Sequence, residues 1–317
     1  MVACRMKETI HQHQPVLLAE VIEGLAVKPE GTYVDATFGR GGHAGAILQQ
    51  LGPMGRLLAM DKDPEAVAFA RDYFKNDSRF IIQQGSFAEL TAFLIRQQAH
   101  GEVDGILFDL GVSSPQLDNP ARGFSFMHDG KLDMRMDFST GTDAATWLAS
   151  VQEKELATVL WEYGEERYAR RIAQRIVTER ESTPITTTAQ LAHIIAKAVP
   201  AWQKGKHPAT RSFQAIRIAI NHELDDLQSG LDAGLQALQV GGRLLVISFH
   251  SLEDRIVKQF MQHHERGDQF PAKLPIKQEQ LAVHFQRIGR AIKPSLQETN
   301  RNPRARSAIL RIGEKLS

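Results

Sequence analysis

Asp35 and Asp61 bracket a glycine-rich run, Gly39-Arg40-Gly41-Gly42-His43, and Asp109 closes a later apolar stretch. Glycines in such a run reach positive φ and let a ligand approach the backbone, because no Cβ stands in the way. The segment behind them, Ala44 to Leu51, has the pattern of a helix, whose first N–H groups lack partners. An anionic or hydroxyl-bearing part of a nucleotide-like ligand can sit there. Asp61 ends the apolar run that starts at Arg56, about twenty residues past the loop, where a carboxylate accepts from a ribose diol. Asp35 lies inside the strand before the loop, where a dinucleotide fold more usually has another apolar residue.

Gly39, Gly41 and Ala44 satisfy the loose fingerprint G-x-G-x-x-G/A, which admits NAD. Acid, glycines and second acid suit S-adenosylmethionine at least as well, so the residues leave both cofactors open. Asp109 ends a strand as apolar as a buried parallel strand, and the stretch to Gln116 then turns over the ligand edge of the sheet. An acceptor oxygen there would hold an exocyclic amine by its N–H and draw the nitrogen lone pair toward a methyl donor. Phe87, following the third strand, is placed either to stack on an adenine or to pack inward at a helix start.

One further loop mixes aromatics with charges, and three stretches are basic. Between Arg122 and Asp137, Phe124 and Phe126 are candidates to stack on unpaired bases and Arg135 to hold a phosphate. The competing reading is a loop packed on itself and clasped by Asp133, Arg135 and Asp137. Arg167, Arg171 and Arg175 recur every fourth residue on a helix expected from Glu165, with Arg170 beside them. Lys204, Lys206, His207, Arg211 and Arg217 follow. Near the C-terminus Arg287, Arg290, Lys293, Arg301, Arg304, Arg306 and Arg311 face only Glu298. In a chain of net charge +1, three such regions point to a polyanion partner.

The elements that must position these groups follow from periodicity. A helix is expected from Pro15 to Leu25, covering a sheet edge, with proline near its start and glycine near its end. Strands are expected at Thr32 to Asp35, Arg56 to Asp61, Arg79 to Gln84 and Val103 to Gly111. Helices starting at Ala44, Asp63-Pro64 and Glu89 separate them, which implies a parallel, right-handed α/β sheet. From Val112 to Ser212 no clear strand appears, and four helices are expected: Ala144–Leu148, Lys154–Tyr163, Glu165–Glu181 and Thr188–Val199. The α/β pattern resumes with a helix from Phe213 to about Leu238 and a strand from Arg243 to Phe249. A capping box at Ser251 opens the next helix. Two short strands, Phe285–Ile292 and Ser307–Ile312, then form a hairpin. The domains expected are therefore 1–112 and 213–317 for the α/β part, with 113–212 inserted.

Composition bounds the rest. With 42% hydrophobic and 24% charged residues the chain is globular and long enough for two domains. Its single cysteine, Cys4, excludes a disulfide framework and fits a reducing compartment. No apolar run approaches the ~20 residues of a membrane span, so a cytoplasmic location is expected. Twelve histidines, including His11, His13, His263 and His264, fall in no metal-binding spacing, and no metal is expected.

Seven ordered stretches resemble one known family. They are Thr37–His43, Leu110–Gln116, Arg122–Phe126, Leu132–Asp137, His207–Arg211, Ser248–Arg255 and Asn302–Ser307. From about Pro15 to Ile312 the chain resembles the bacterial 16S rRNA cytosine-N(4) methyltransferases (RsmH, also called MraW). The resemblance implies a class I, Rossmann-like methyltransferase fold with an inserted all-helical domain. It implies S-adenosylmethionine as donor and a decoding-region cytosine of 16S rRNA in the small ribosomal subunit as acceptor. Carried over by motif, Gly41, Gly42, His43, Asp61, Phe87, Asp109 and Gln116 contact the cofactor, with Asp109 also catalytic and Asp35 shaping the loop. Phe124, Arg135, Arg171, Arg211 and Arg304 are the expected RNA contacts. Many amino-methyltransferases end strand four with an acid or amide, two prolines and an aromatic, whereas this chain has Asp109-Leu110-Gly111-Val112. Met1 to Arg5 match no family pattern and read as a start-site extension. No membrane partner is expected, and the oligomeric state is left open.

Overall fold

The computed structural model describes residues 15–200, 205, 207–267 and 283–317. Cys4, His11, His13, Lys204, Lys206 and most of the polar loop after residue 266 lie outside the described residues. The chain divides into two compact units, one up to Gly111 and again from Asp225 onward, the other Val112–Leu224.

The first unit holds seven strands: β1 Thr32–Asp35, β2 Arg56–Asp61, β3 Phe80–Gln84, β4 Val103–Asp109, β5 Leu238–Ser248, β6 Phe285–Arg287 and β7 Ile309–Lys315. Their order is β3-β2-β1-β4-β5-β7-β6. The first five are parallel, and β7 runs antiparallel to both neighbours, β5 and β6. A dinucleotide-binding sheet instead continues 3-2-1-4-5-6, so the reversed β7 between β5 and β6 separates this fold from that one. Winding changes direction between β1 and β4, and Asp35, Asp61 and Asp109 all stand at the carboxyl ends of their strands, where such sheets bind ligands.

Successive strand residues face opposite sides of the sheet, and here both sides are apolar. Val34, Leu58, Ile106, Phe108 and Val246 pack with Phe93, Leu94, Leu231 and Met261. Tyr33, Leu57, Leu107, Leu245 and Ile247 pack with Val21, Leu25, Ile47 and Ala70 on the other side. Burying each such side chain contributes roughly 1.5–3 kcal/mol before entropy is counted.

Several elements differ from the sequence expectation. The first described helix is Leu18–Leu25, and it covers a sheet face rather than an edge: a Cβ at Gly24 would stand 2.7 Å from Ile312 and 2.9 Å from Leu245. The long helix expected from Phe213 is two, Ala209–Asn221 and Glu223–Ala237, because His222 turns left-handed at φ 52 and caps the first. β5 starts at Leu238, and its pairing with β4 shifts register between Val103 and Gly105 to absorb Gly241 and Gly242. The cap of helix Ser251–Glu265 moves one residue: His250 Nδ1 accepts from Glu253 N, and the Glu253 carboxylate accepts from His250 N at 3.2 Å.

The second unit is helical, with Ser114–Asp118, Ala144–Ser150, Glu153–Glu162, Ala169–Ser182, Thr188–Ala198 and Ala209–Asn221. Pairs one helical turn apart, Leu156 and Leu160, Ile172 and Ile176, Leu191 and Ile195, build its core. Phe213, Ala215 and Ile216 belong to that core too, which is why the unit runs past Ser212 to Leu224. The helix expected from Glu165 begins at Ala169, since Glu165 itself is left-handed at φ 47, and Arg167 falls outside it. No helix among the described residues is long and apolar enough to cross a membrane.

Candidate active site

Beyond β1 the chain stays stretched between its two neighbouring strands. Ala36 N donates to Leu107 O at 2.9 Å and Phe38 N to Met60 O at 3.0 Å. Asp109 N donates to Thr37 Oγ1 at 2.6 Å, tying the loop to the end of β4. Gly39 and Gly41 then take φ 57 and φ 73, a region that costs an L side chain about 1–2 kcal/mol. A Cβ at Gly41 would also stand 2.6 Å from the Phe38 ring. Gly41 caps the helix Gly42–Gln50, and no side chain caps it in its place. Gly42 is small for a different reason: a Cβ there would meet Pro15 at 2.6 Å.

Asp61 organises the loop as well as ending β2. Its Oδ2 accepts from Gly39 N at 2.7 Å and its Oδ1 from Asp63 N at 2.8 Å. A carboxylate has about four acceptor positions, so roughly two remain for a ligand hydroxyl pair. Burial raises its pKa to about 6. Asp35, 1% exposed, accepts only from Thr37 N among the described hydrogen bonds, at 3.2 Å. Burial raises it to about 7, against the downward pull of the His43 imidazole.

His43 and Asp109 meet at the mouth of this arrangement. His43 is 5% exposed, and its Nε2 lies 3.5 Å from Asp109 Oδ2. That approach lacks hydrogen-bond alignment: both ring nitrogens and Asp109 Oδ1 are buried without a hydrogen-bond partner. Unpaired buried groups of this kind cost about 1–3 kcal/mol each, and a polar ligand would satisfy them. Acids with spare acceptor positions, a helix start that no side chain caps and a loop without Cβ atoms at Gly39 and Gly41 fit the hydroxyls, amine and carboxylate of S-adenosylmethionine.

Phe87 packs inward. Its ring meets Phe108 edge-on at 5.4 Å and occupies the space left by Gly230, where a Cβ would stand 2.7 Å away. Beside it Ser86 Oγ donates to Asp226 Oδ2 at 2.6 Å, and Lys62 Nζ reaches the same oxygen at 2.5 Å. This trio escaped the sequence reading, because Asp226 is 140 residues from Ser86 and no local spacing links them. Gln116 belongs to the helical unit and is 5% exposed. Its Oε1 accepts from Ser113 N at 2.8 Å in a capping box.

Two expected RNA contacts are built into the helical unit instead. Phe124 is 7% exposed and part of its core, with the Arg122 guanidinium 5.8 Å from the ring centre. Arg135 grips Asp133 with two nitrogens, at 2.7 and 2.8 Å, and donates to the Thr140 and Gly141 carbonyls. Burial works to raise Asp133, but Arg135 and Lys131 outweigh it and hold the carboxyl at about 2. The loop is thus packed on itself, with Asn221 accepting from Met136 N and donating to Met134 O, both at 2.7 Å. Phe126 leans on Phe213 and His207 at 4.7 Å.

Arg171, Arg211 and Arg304 are exposed. Arg211 donates to Glu165 O at 3.0 Å, and Arg175 pairs with Glu179 at 2.5 Å. Arg217 is committed to Glu223. Near the C-terminus Arg287 pairs with Glu265 and Arg311 with Asp254, so acids other than Glu298 answer part of that cluster. Arg290, Lys293, Arg301, Arg304 and Arg306 remain exposed.

A family model described as the MraW methylase family matches residues 10–316. Ribosomal RNA small subunit methyltransferase H of Pseudoalteromonas atlantica is 57% identical over 306 residues, spanning 96% of this chain and 98% of that protein. Proteins of the same name from Legionella pneumophila (strain Paris) and Marinomonas sp. are 56% and 53% identical. These matches span 96% and 98% of this chain, and 99% and 100% of the relatives. Matched along nearly its whole length, this chain belongs to the MraW methylase family.

Proposed function

We propose that this protein methylates the exocyclic N4 amine of a cytosine in the decoding region of 16S rRNA. Within that reading, S-adenosylmethionine is the donor and small-subunit rRNA the acceptor, in keeping with the family and with the names of its relatives. The observation that carries the amine as target is Asp109. It ends β4 beside the glycine loop, a quarter exposed, with one oxygen buried and unpartnered. A ring-conjugated amine is a poor nucleophile, and an acceptor on its N–H is what it lacks.

Bound S-adenosylmethionine supplies an electrophilic methyl group. The loop at Gly41 and Gly42 and the helix start carrying His43 receive its amino-acid end, and Asp61 accepts from its ribose hydroxyls. Phe87, half-buried after β3, walls the base pocket in this reading. Asp109 orients the acceptor amine, so that its lone pair rather than its N–H faces the methyl group. The helical unit and the exposed Arg171, Arg211 and Arg304 hold RNA phosphates, and such an enzyme works with the ribosome in the cytoplasm. An NAD oxidoreductase, the alternative the glycine loop admits, is disfavoured by the reversed β7 and by the family.

Incubation with methyl-labelled S-adenosylmethionine and small-subunit particles lacking the modification tests the proposal. Nuclease digestion and mass spectrometry should place the label on N4 of one cytosine. Label on another base, or none in RNA, would overturn it.

A further inference from the structure

Transfer to an amine leaves a nitrogen that must lose a proton to a base. Asp109, at the end of β4, is the first acceptor in reach. His43 is the neighbouring base. It is 5% exposed, its Nε2 is 3.5 Å from Asp109 Oδ2, and neither ring nitrogen makes a hydrogen bond. A buried imidazole with both nitrogens unpaired is costly and is kept here within a group of acids. Asp109 bears on it from β4 and Asp35 from β1, while Asp61 of β2 acts on Asp35 in turn. Arg40, the adjacent cation, is turned to the Phe69 ring 5.5 Å away.

We propose that His43 takes the proton released by the acceptor amine, passed to its Nε2 through Asp109. The inference rests on the amine-methylation reading. The amine lone pair forms the new N–C bond while the donor's S–C bond breaks with its electrons going to sulfur. One N–H bond then breaks, its electrons staying on nitrogen. The proton moves to Asp109 Oδ2 and across the 3.5 Å gap to the imidazole, leaving Asp109 ionised for the next substrate.

The test uses H43Q, which keeps a hydrogen-bonding group but cannot hold the proton, with H43N as a second variant should the first fail to fold. Three readouts are taken: donor affinity by calorimetry, single-turnover methyl transfer across pH, and the His43 ring nitrogens by NMR in wild type and D109N. With donor saturating at the concentration calorimetry sets, transfer should fall about 100-fold or more, beyond any loss of donor affinity. The limb of the pH profile that rises with pH should vanish in the variant, and the His43 ring signals should move in D109N. Wild-type rate and pH profile in a folded, donor-binding variant would overturn the proposal, as would ring signals indifferent to D109N. A wild type that labels no cytosine refutes the acceptor reading instead, and the ring signals still decide whether His43 and Asp109 are coupled.

Discussion

Asp35→Asn should raise the stability of the α/β unit, and by more at pH 8 than at pH 5. Asp35 is 1% exposed, and burial lifts its pKa from 3.8 to about 7. The folded protein therefore binds this proton more tightly than the unfolded chain does, so stability falls as pH rises from about 4 to about 7. Above that window the whole penalty is in place. For these two values the penalty relative to a neutral side chain is about 2 kcal/mol at pH 5 and about 4 kcal/mol at pH 8. Asn keeps the oxygen that accepts from Thr37 N, and whatever its amide costs is independent of pH. The advantage of the variant should therefore grow by roughly 2–3 kcal/mol between pH 5 and pH 8. Urea unfolding of both proteins at the two pH values, followed by a probe in the α/β unit, measures this. An equal difference at both pH values would refute the claim that burial keeps Asp35 protonated near neutrality.

Other substitutions separate structural from functional residues. Arg135→Ala should destabilise the helical unit by roughly 2 kcal/mol, less than a fully buried pair would cost because Lys131 still reaches Asp133 at 3.0 Å; loss of RNA affinity with unfolding unchanged would contradict this. Phe124→Ala should cost about 3 kcal/mol through the cavity it opens, measured by the same unfolding experiment. Gly41→Ala should both strain the loop, by about 1–2 kcal/mol, and push Phe38 aside, so calorimetry should find weaker binding of S-adenosylmethionine. Arg171→Glu should leave donor binding untouched while lowering RNA affinity, with a salt dependence shallower by about one phosphate contact.

The strand ends were legible because the signals there are local. Asp35, Asp61 and Asp109 each close an apolar run, and the sheet brings such ends together whatever lies between them. The glycine loop was legible for the same reason, although Gly42 turned out to make room for Pro15. Contacts made over long sequence distances left no mark. Nothing near Phe124 or Arg135 in the chain announces Asn221, which fixes their loop from 85 residues away, and Asp226 is farther still from Ser86, at 140 residues. The break at His222 was hidden as well, because an apolar period continues through it and only the left-handed residue ends the first helix. A basic cluster misled where a neighbouring acid already held the guanidinium, as at Arg217, and at Arg135 the competing reading of a self-clasped loop is the one the contacts favour.

Binding of S-adenosylmethionine to wild type, Asp61→Ala and Asp109→Ala, measured by calorimetry beside NAD, tests most directly whether the strand-end acids and glycine turn form the donor site. Saturable binding of S-adenosylmethionine to wild type, lost in Asp61→Ala and weakened in Asp109→Ala, with no heat from NAD, is the result expected. Undiminished binding to a folded Asp61→Ala protein would contradict the account.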